Sequence, residues 1–331
     1  MMFFHSKHRQ ILTGGILLLL LMTLVACQKS LEMWPNYLKT TFNIHFDWSD
    51  TKDASPSEMQ LVAFEKETAT PLEFGFVGNR GGQVELKAGS YNVLAFNSDT
   101  ETLYGKGDAW ETYELASIVT ELTRINSMFA NSRVVPRGVG SENEPVILQP
   151  DMAWTTALEE MMAGDNESED VTLPMQPAVY TYRFNISKVE NLSYVSDLTA
   201  TISGMSGSMW PATGKPSDTH CTMPVTLTID GDSNISIVFR SFGHCPSGKV
   251  EARHILVVYA VLQDHSKWYY EFDVTDVLHD EAHLHPASGK DPDGLEPIEL
   301  EHLPFPKPLT NGSGLHPDVE DWYEISVSII M

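Results

Sequence analysis

The chain has 331 residues, with 45 acidic against 21 basic side chains and a formal net charge of −24. A surface that acidic repels nucleic acid and anionic lipid headgroups, which excludes DNA and RNA as partners. Hydrophobic residues make up 42% of the chain, so the acidity is that of a solvated folded surface rather than of a disordered polymer.

The first elements are those of export. Lys7 and Arg9, with His5 and His8 beside them, form a basic start, and Ile11 to Val25 is an apolar run in which Leu17 to Leu21 is unbroken leucine. Leu24-Val25-Ala26-Cys27 follows at once. A basic start, an apolar core and a small-residue cleavage site define a secretory signal. A membrane-spanning helix needs about 20 apolar residues, and this run stops short at Cys27. The Leu-Val-Ala-Cys box resembles the lipoprotein signal, in which the cysteine is acylated and becomes the new N-terminus. Residues 1–26 are therefore expected to be the signal, Cys27 the lipid-bearing residue and 27–39 a short tether. Two or three acyl chains hold a protein stably on a membrane, at about 0.8 kcal/mol per buried methylene. Gln28, where an aspartate would retain the protein at the inner membrane, implies the outer membrane.

Beyond the tether the pattern is that of strands. Thr41 to Trp48 alternates, with Phe42, Ile44, Phe46 and Trp48 on one face. Met59 to Phe64 and Tyr91 to Phe96 are further short strand-like runs. Ala116 to Phe129 is a helix candidate and Met152 to Met162 a second. Ala163 to Asp170 is polar and acidic and reads as a linker. Thr226 to Ile229 and Ile235 to Phe239 flank Asp230-Gly231-Asp232-Ser233-Asn234, a hairpin signal. Ile255 to Leu262 reads as a buried strand, Trp268 to Val274 follows, and Trp322 to Met331 closes the chain with Ile325, Val327, Ile329 and Met331 on one face. Short strands separated by Gly, Pro, Asn and Asp predict an all-β protein of sandwich domains, with domains at 40–168 and 169–331.

No catalytic signature stands out. There is no phosphate-cradling glycine loop and no His-Glu-x-x-His. Gly204-Met205-Ser206-Gly207-Ser208 approaches a nucleophile elbow, but its second glycine falls one position early and the segment reads as a strand-ending turn. Cys221 and Cys245, in an exported chain, predict a disulfide closing a loop of about 25 residues, worth about 3 kcal/mol. Each follows a histidine, His220 and His244. Neighbours on a strand point to opposite faces, which disfavours a two-Cys, two-His zinc set. His279, His283 and His285 are the remaining metal candidates, since His279 and His283 would share a helical face, but Pro286 and the turns after it fit a solvated loop. Asp230, Asp232 and Asn234 begin like a calcium loop, yet Ile235 stands where the tight turn needs glycine. No cofactor is expected.

Several segments resemble a known family. They are Phe46-Asp47-Trp48-Ser49, Gly81-Gly82-Gln83-Val84-Glu85-Leu86-Lys87-Ala88-Gly89-Ser90-Tyr91, Phe96 to Glu101, Ile202 to Ser206, Phe272-Asp273-Val274-Thr275-Asp276 and Val319-Glu320-Asp321-Trp322. They are similar to Bacteroidetes lipoproteins catalogued as a domain of unknown function, related to fimbrillins and the fimbrial anchor lipoproteins of type V pili. The resemblance implies two tandem transthyretin-like, fimbrillin-type β-sandwiches and assembly by strand exchange, in which a partner strand adds to an open sheet edge. Fimbrillins polymerise after cleavage at an arginine removes their first strand. Here the first arginine after Cys27 is Arg80, beyond the strands at 41–48 and 59–64. The expected role is thus a non-enzymatic outer-membrane lipoprotein, an anchor or accessory subunit meeting fimbrillin-like subunits. Trp322 to Met331 would close its own sandwich or be donated. The alternative is a surface glycan- or glycoprotein-binding lipoprotein using Trp110, Trp154 and Trp210 as stacking platforms.

Overall fold

The computed structural model describes residues 38–66, 70–130, 135–164, 168–245, 253–280, 285–286 and 295–308. Its architecture is all-β and sandwich-like, as the alternation predicts. Strand β1 (Lys39–Asp47) turns Phe42, Ile44 and Phe46 inward. It lies between β4 (Gly81–Lys87), antiparallel, and β9 (Ser168–Pro174), parallel. Facing this three-stranded sheet is a five-stranded one in the order β10 (Gln176–Pro177), β8 (Trp154–Ala163), β5 (Gly89–Asn97), β2 (Glu58–Glu65), β3 (Leu72–Val77). Met59, Leu61, Tyr91, Val93 and Trp154 from the larger sheet meet Phe42, Ile44, Val84 and Leu173 from the smaller in one core.

A second core lies inside an eight-stranded sheet that folds onto itself. Its order is β18 (Lys267–Asp273), β17 (Ile255–Leu262), β12 (Val195–Ser206), β15 (His220–Asp230), β16 (Asn234–Ser241), β11 (Tyr180–Glu190), β19 (His285–Pro286), with β20 (Ile298–Pro304) also beside β11. Strand β15 makes the corner. Up to Val225 it pairs with β12, and from Thr226 onward with β16. The predicted hairpin is present, closing at Asp230↔Asn234. Phe184 and Phe239 stack across β11 and β16 with ring centroids 6.0 Å apart.

A small sheet joins the two bodies: β14 (Lys215–Pro216), β13 (Ser208–Trp210), β7 (Glu114–Ser117) and β6 (Leu103–Lys106). Leu103, Trp110, Tyr113, Leu115 and Met209 cover the outer face of the five-stranded sheet at Val62, Phe64, Leu94 and Phe96. Helix α1 (Thr123–Met128) packs instead on the outer face of the second body, at Ile255, Val257 and Tyr259.

Three expectations are corrected. The chain does not divide at 168: β9 and β10, after that point, complete the first body's sheets, while α1, before it, packs on the second. The polar stretch at 163–170 thus connects two strands of one sandwich rather than linking two domains. The helix expected over 116–129 shrinks to α1, because Glu114–Ser117 is claimed by β6 and β13. The helix expected over 152–162 is strand β8, whose Met, Ala, Leu and Glu residues favour helix locally but pair with β5 on one side and β10 on the other. The segment Gly204–Ser208 does carry the end of β12, at Ser206, but Gly204 itself lies inside the strand. It sits at φ +75° in a register shift between Ile202 and Met205, and β12 continues to Ser206.

Phe184→Ala is expected to destabilise the protein by about 3–5 kcal/mol, since it empties a fully buried ring site. Gly204→Ala should cost about 1–3 kcal/mol for a different reason, as its Cβ would meet the Arg253 carbonyl oxygen at 2.5 Å on a left-handed backbone. Urea denaturation of both variants measures the two losses.

Candidate assembly surface

A partner strand needs a sheet edge with free backbone donors and acceptors. Among the described residues, several strands pair on one side alone. β9 carries Glu169 and Asp170 along its edge, and β20 carries Glu299 and Glu301, charges that guard an edge against unwanted pairing. Asn185 Nδ2 donates to Glu299 Oε2 at 2.8 Å, and Lys188 pairs with Glu301. β3 is lightly guarded. Leu-Glu-Phe-Gly-Phe-Val holds a single charge, pairs with β2 alone, and leaves Leu72 and Val77 exposed, Val77 at 95%.

The first strand is enclosed. β1 has seven residue pairs with β4 and seven with β9, and its apolar face is buried. Asn43 Nδ2 donates to Asp170 Oδ1 at 2.9 Å and Gln83 Nε2 to Asn43 Oδ1 at 3.0 Å, tying all three strands on the outer face. The exposed Arg80 lies in the turn between β3 and β4, and its carbonyl accepts from the Phe46 amide at 3.5 Å.

The residues singled out in the sequence are scattered. Cys27, His283 and Trp322–Met331 lie outside the described residues. His285 pairs through its backbone with Thr181. His279 caps the C-terminus of α2 (Thr275–Leu278), far in sequence from the partners it meets, which are His244 and His254 rather than His283 or His285. Trp110 and Trp154 are buried against Phe64 and Trp48, and Trp210 is half-buried, so they form no stacking platform. Ser206 is fully buried, and its hydroxyl contacts the Ser208 and Ser217 carbonyls at 2.7 and 2.9 Å, so it is no exposed nucleophile.

The expected disulfide is also absent. Cys221 and Cys245 are free, buried thiols. Met205 stands between them in the sheet, paired with Cys221 on one side and His244 on the other. Two strand spacings of about 4.8 Å each separate the backbones beyond the roughly 7 Å that a disulfide spans. Burial pushes both thiols up to about 12, and the Glu144 carboxylate adds to the effect. Glu144 is itself raised by burial, partly offset by hydrogen bonds from Thr222 Oγ1 at 2.8 Å and the Gly204 amide at 3.1 Å.

With this geometry in hand, comparison with known proteins is informative. The model of the family described as domain of unknown function DUF5119 matches residues 26–226. A Bacteroides ovatus protein whose name assigns it as fimbrium anchoring subunit Fim4B is 22% identical over 93% of this chain and 95% of its own. The crystal structure of a Bacteroides ovatus protein described as an adhesin superposes with a TM-score of 0.64 at 18% identity, over 83% of this chain and 95% of that one. The fimbrial anchor protein Mfa2 of Porphyromonas gingivalis aligns at 11% identity over 72% of this chain and 82% of that one, with a TM-score of 0.42. Among the described residues no helix is long and apolar enough to cross a membrane.

Native protein is expected to react slowly with a thiol reagent, and unfolded protein to expose both Cys221 and Cys245 without prior reduction. Thiols that appear only after reductant is added would show a bond between them.

Proposed function

We propose, from the premise that this chain belongs to the DUF5119 family, that the protein is a non-enzymatic anchoring or accessory subunit of a fimbria-like assembly, held on the outer membrane by lipid on Cys27. The observation that carries the reading is the enclosure of β1. The tether from Cys27 runs into a strand paired on both sides and packed into the first core, so a pull on the assembly loads backbone hydrogen bonds along seven residue pairs on each side. A subunit that polymerised by losing its first strand would give up that core. One that keeps it stays joined to its lipid. The full-length likeness to a protein named as a fimbrium anchoring subunit supports the same role. We assign the incoming fimbrial strand to the lightly guarded edge of β3, where backbone pairing supplies affinity and apolar side chains such as those of Leu72 and Val77 supply contact.

The decisive experiment is a pull-down of the tagged, lipidated protein from native outer membranes, followed by mass spectrometry. Fimbrillin-like subunits in the eluate are expected. An intact monomer with no such subunit would overturn the proposal. Cys27→Ala should move the protein from the membrane to the soluble fraction on cell fractionation. The Leu72→Lys, Val77→Lys pair should cut recovery of fimbrial subunits while leaving stability within about 0.5 kcal/mol per site. After nicking at Arg80 by an arginine-specific protease, the fragment bearing β1 should co-elute with the body on size exclusion, because β1 is held by β9 as well as β4.

A further inference from the structure

Three of the chain's twelve histidines meet at one end of the second body, brought there by three separate segments. His244 follows β16 and bridges to Met205 of β12, His254 precedes β17, and His279 caps α2. Their ring centroids are 4.6 Å (His244–His279), 5.0 Å (His254–His279) and 5.9 Å (His244–His254) apart. His254 is fully buried, and the other two are half-buried. None of the three serves the assembly surface.

We propose that His244, His254 and His279 form an acid-sensitive latch, which holds α2 on the second body while the cluster carries at most one extra proton and releases it when a second arrives. The hydrogen-bond geometry is the first reason. His254 Nδ1 faces the Ser203 carbonyl oxygen at 3.3 Å, and a carbonyl only accepts, so the proton of the neutral ring sits on Nδ1. Its Nε2 is then a lone pair 2.9 Å from His279 Nε2, which donates to it. His279 can take a first proton on its other nitrogen and still donate. A proton on His254 Nε2 sets N–H against N–H and breaks the bond. Crowding is the second reason. A charged His244 lies 4.6 Å, centroid to centroid, from a charged His279, and like charges so close disfavour one another. Burial is the third. It pulls His254 down to about 4 against the Ser203 bond and lowers His244 too, with a charged His279 adding to both shifts. A histidine lowered from 6.5 in this way supports the closed form above that pH and loses its contribution as pH falls toward the folded value. The latch is therefore closed near neutrality and opens as pH falls from about 6.5 toward about 4.

The latch ties α2 at both ends. The His254 amide donates to Thr275 Oγ1 at 3.0 Å, and the Val274 amide donates to the His254 carbonyl at 2.9 Å, so the start of α2 is fixed to the backbone of His254. The ring of His254 then holds the other end through His279. The charged groups around the cluster do not neutralise it. Burial opposes the charge of Asp273, but hydrogen bonds from Thr275 and Arg253 hold its carboxyl below the usual range, so it stays ionised and paired while the histidines titrate. Asp276 and Asp280 flank His279 and are exposed. The Cys245 thiol beside His244 is pushed up to about 12 by burial, with the Asp218 and Glu144 charges adding to it, and stays neutral. Behind His254 lies Gly204, where a Cβ would stand 2.7 Å from Nδ1. The Gly204 amide donates to Glu144, and His220 at the start of β15 acts on both Glu144 and His254. Burial raises Glu144, so this carboxylate takes up its own proton in acid and is the competing origin of any response.

The test is hydrogen exchange of the full-length protein from about pH 7 to about pH 4, corrected for intrinsic exchange rates and read over residues 274–280, with residues 235–239 of β16 as the internal reference. The opening constant of 274–280 is expected to rise by more than about tenfold per pH unit below pH 6, since two protons enter, while the reference stays protected. His279→Gln keeps a donor toward His254 and cannot charge, and His244→Gln removes the other proton. Each should lower the dependence to about tenfold per pH unit or less. Glu144→Gln should respond as the parent does. The profile of the unmutated protein needs no variant to fold. Protection of 274–280 that persists to about pH 4, or that falls only together with the reference, would overturn the proposal. So would an unchanged slope in both histidine variants, or a response that disappears in Glu144→Gln.

Discussion

The placement of β1 governs the first half of the molecule. It receives an antiparallel neighbour, β4, from about forty residues downstream and a parallel neighbour, β9, from residues 168–174. Its inward face supplies Phe42, Ile44 and Phe46 to the core. Take β1 away and β4 and β9 no longer share a sheet, and the five-stranded sheet opposite loses much of the apolar surface it covers. A chain built this way resists losing its first strand. That is the property an anchoring subunit needs if it is to remain joined to a membrane-bound N-terminus.

The two bodies are not independent beads. β6 and β7 come from the first half of the chain and β13 and β14 from a loop between β12 and β15 of the second body, yet the four form one sheet. That sheet lies on the outer face of the first sandwich, with Trp110 and Tyr113 meeting Phe64. In return, α1 crosses over to cover Ile255, Val257 and Tyr259 of the second body. Each body therefore carries a piece of chain from the other side, and apolar burial couples them. A load applied at either end is shared through side-chain packing rather than through a single linker.

The polar interior is organised around the bulge in β12. Gly204 lets the backbone turn close to Arg253, its amide donates to Glu144, and Ser206 just beyond it contacts Ser208 and Ser217 carbonyls. The same stretch separates Cys221 from Cys245 and, through the Ser203 carbonyl, orients His254. One register shift thus decides the state of two cysteines and a histidine that lie distant from it in the chain.

The strands were legible in the sequence because period-two alternation is a local signal. Phe42, Ile44 and Phe46 face the core wherever β1 is placed, and the Asp230–Asn234 turn closes its hairpin from neighbouring residues alone. The acidic balance is likewise a property of composition alone. Whatever depended on a distant partner was not legible. Met152 to Met162 has helix-favouring residues and becomes a strand because β5 and β10 offer it hydrogen bonds. A boundary at 168 followed composition, whereas the parallel pairing of β9 with β1 follows burial of Leu173. Cys221 and Cys245 suggested a bond by their number, but both thiols are free and Met205 stands in the sheet between Cys221 and His244. His279 was noticed beside His283 and His285, but its neighbours in space are His244 and His254. The sequence by itself determined which residues face inward and that they lie on strands, because burial pattern and turn chemistry are written within a few residues. Which strands meet, and which side chains are thereby brought together, was decided by tertiary structure, because backbone pairing between distant segments is chosen by the core they jointly close.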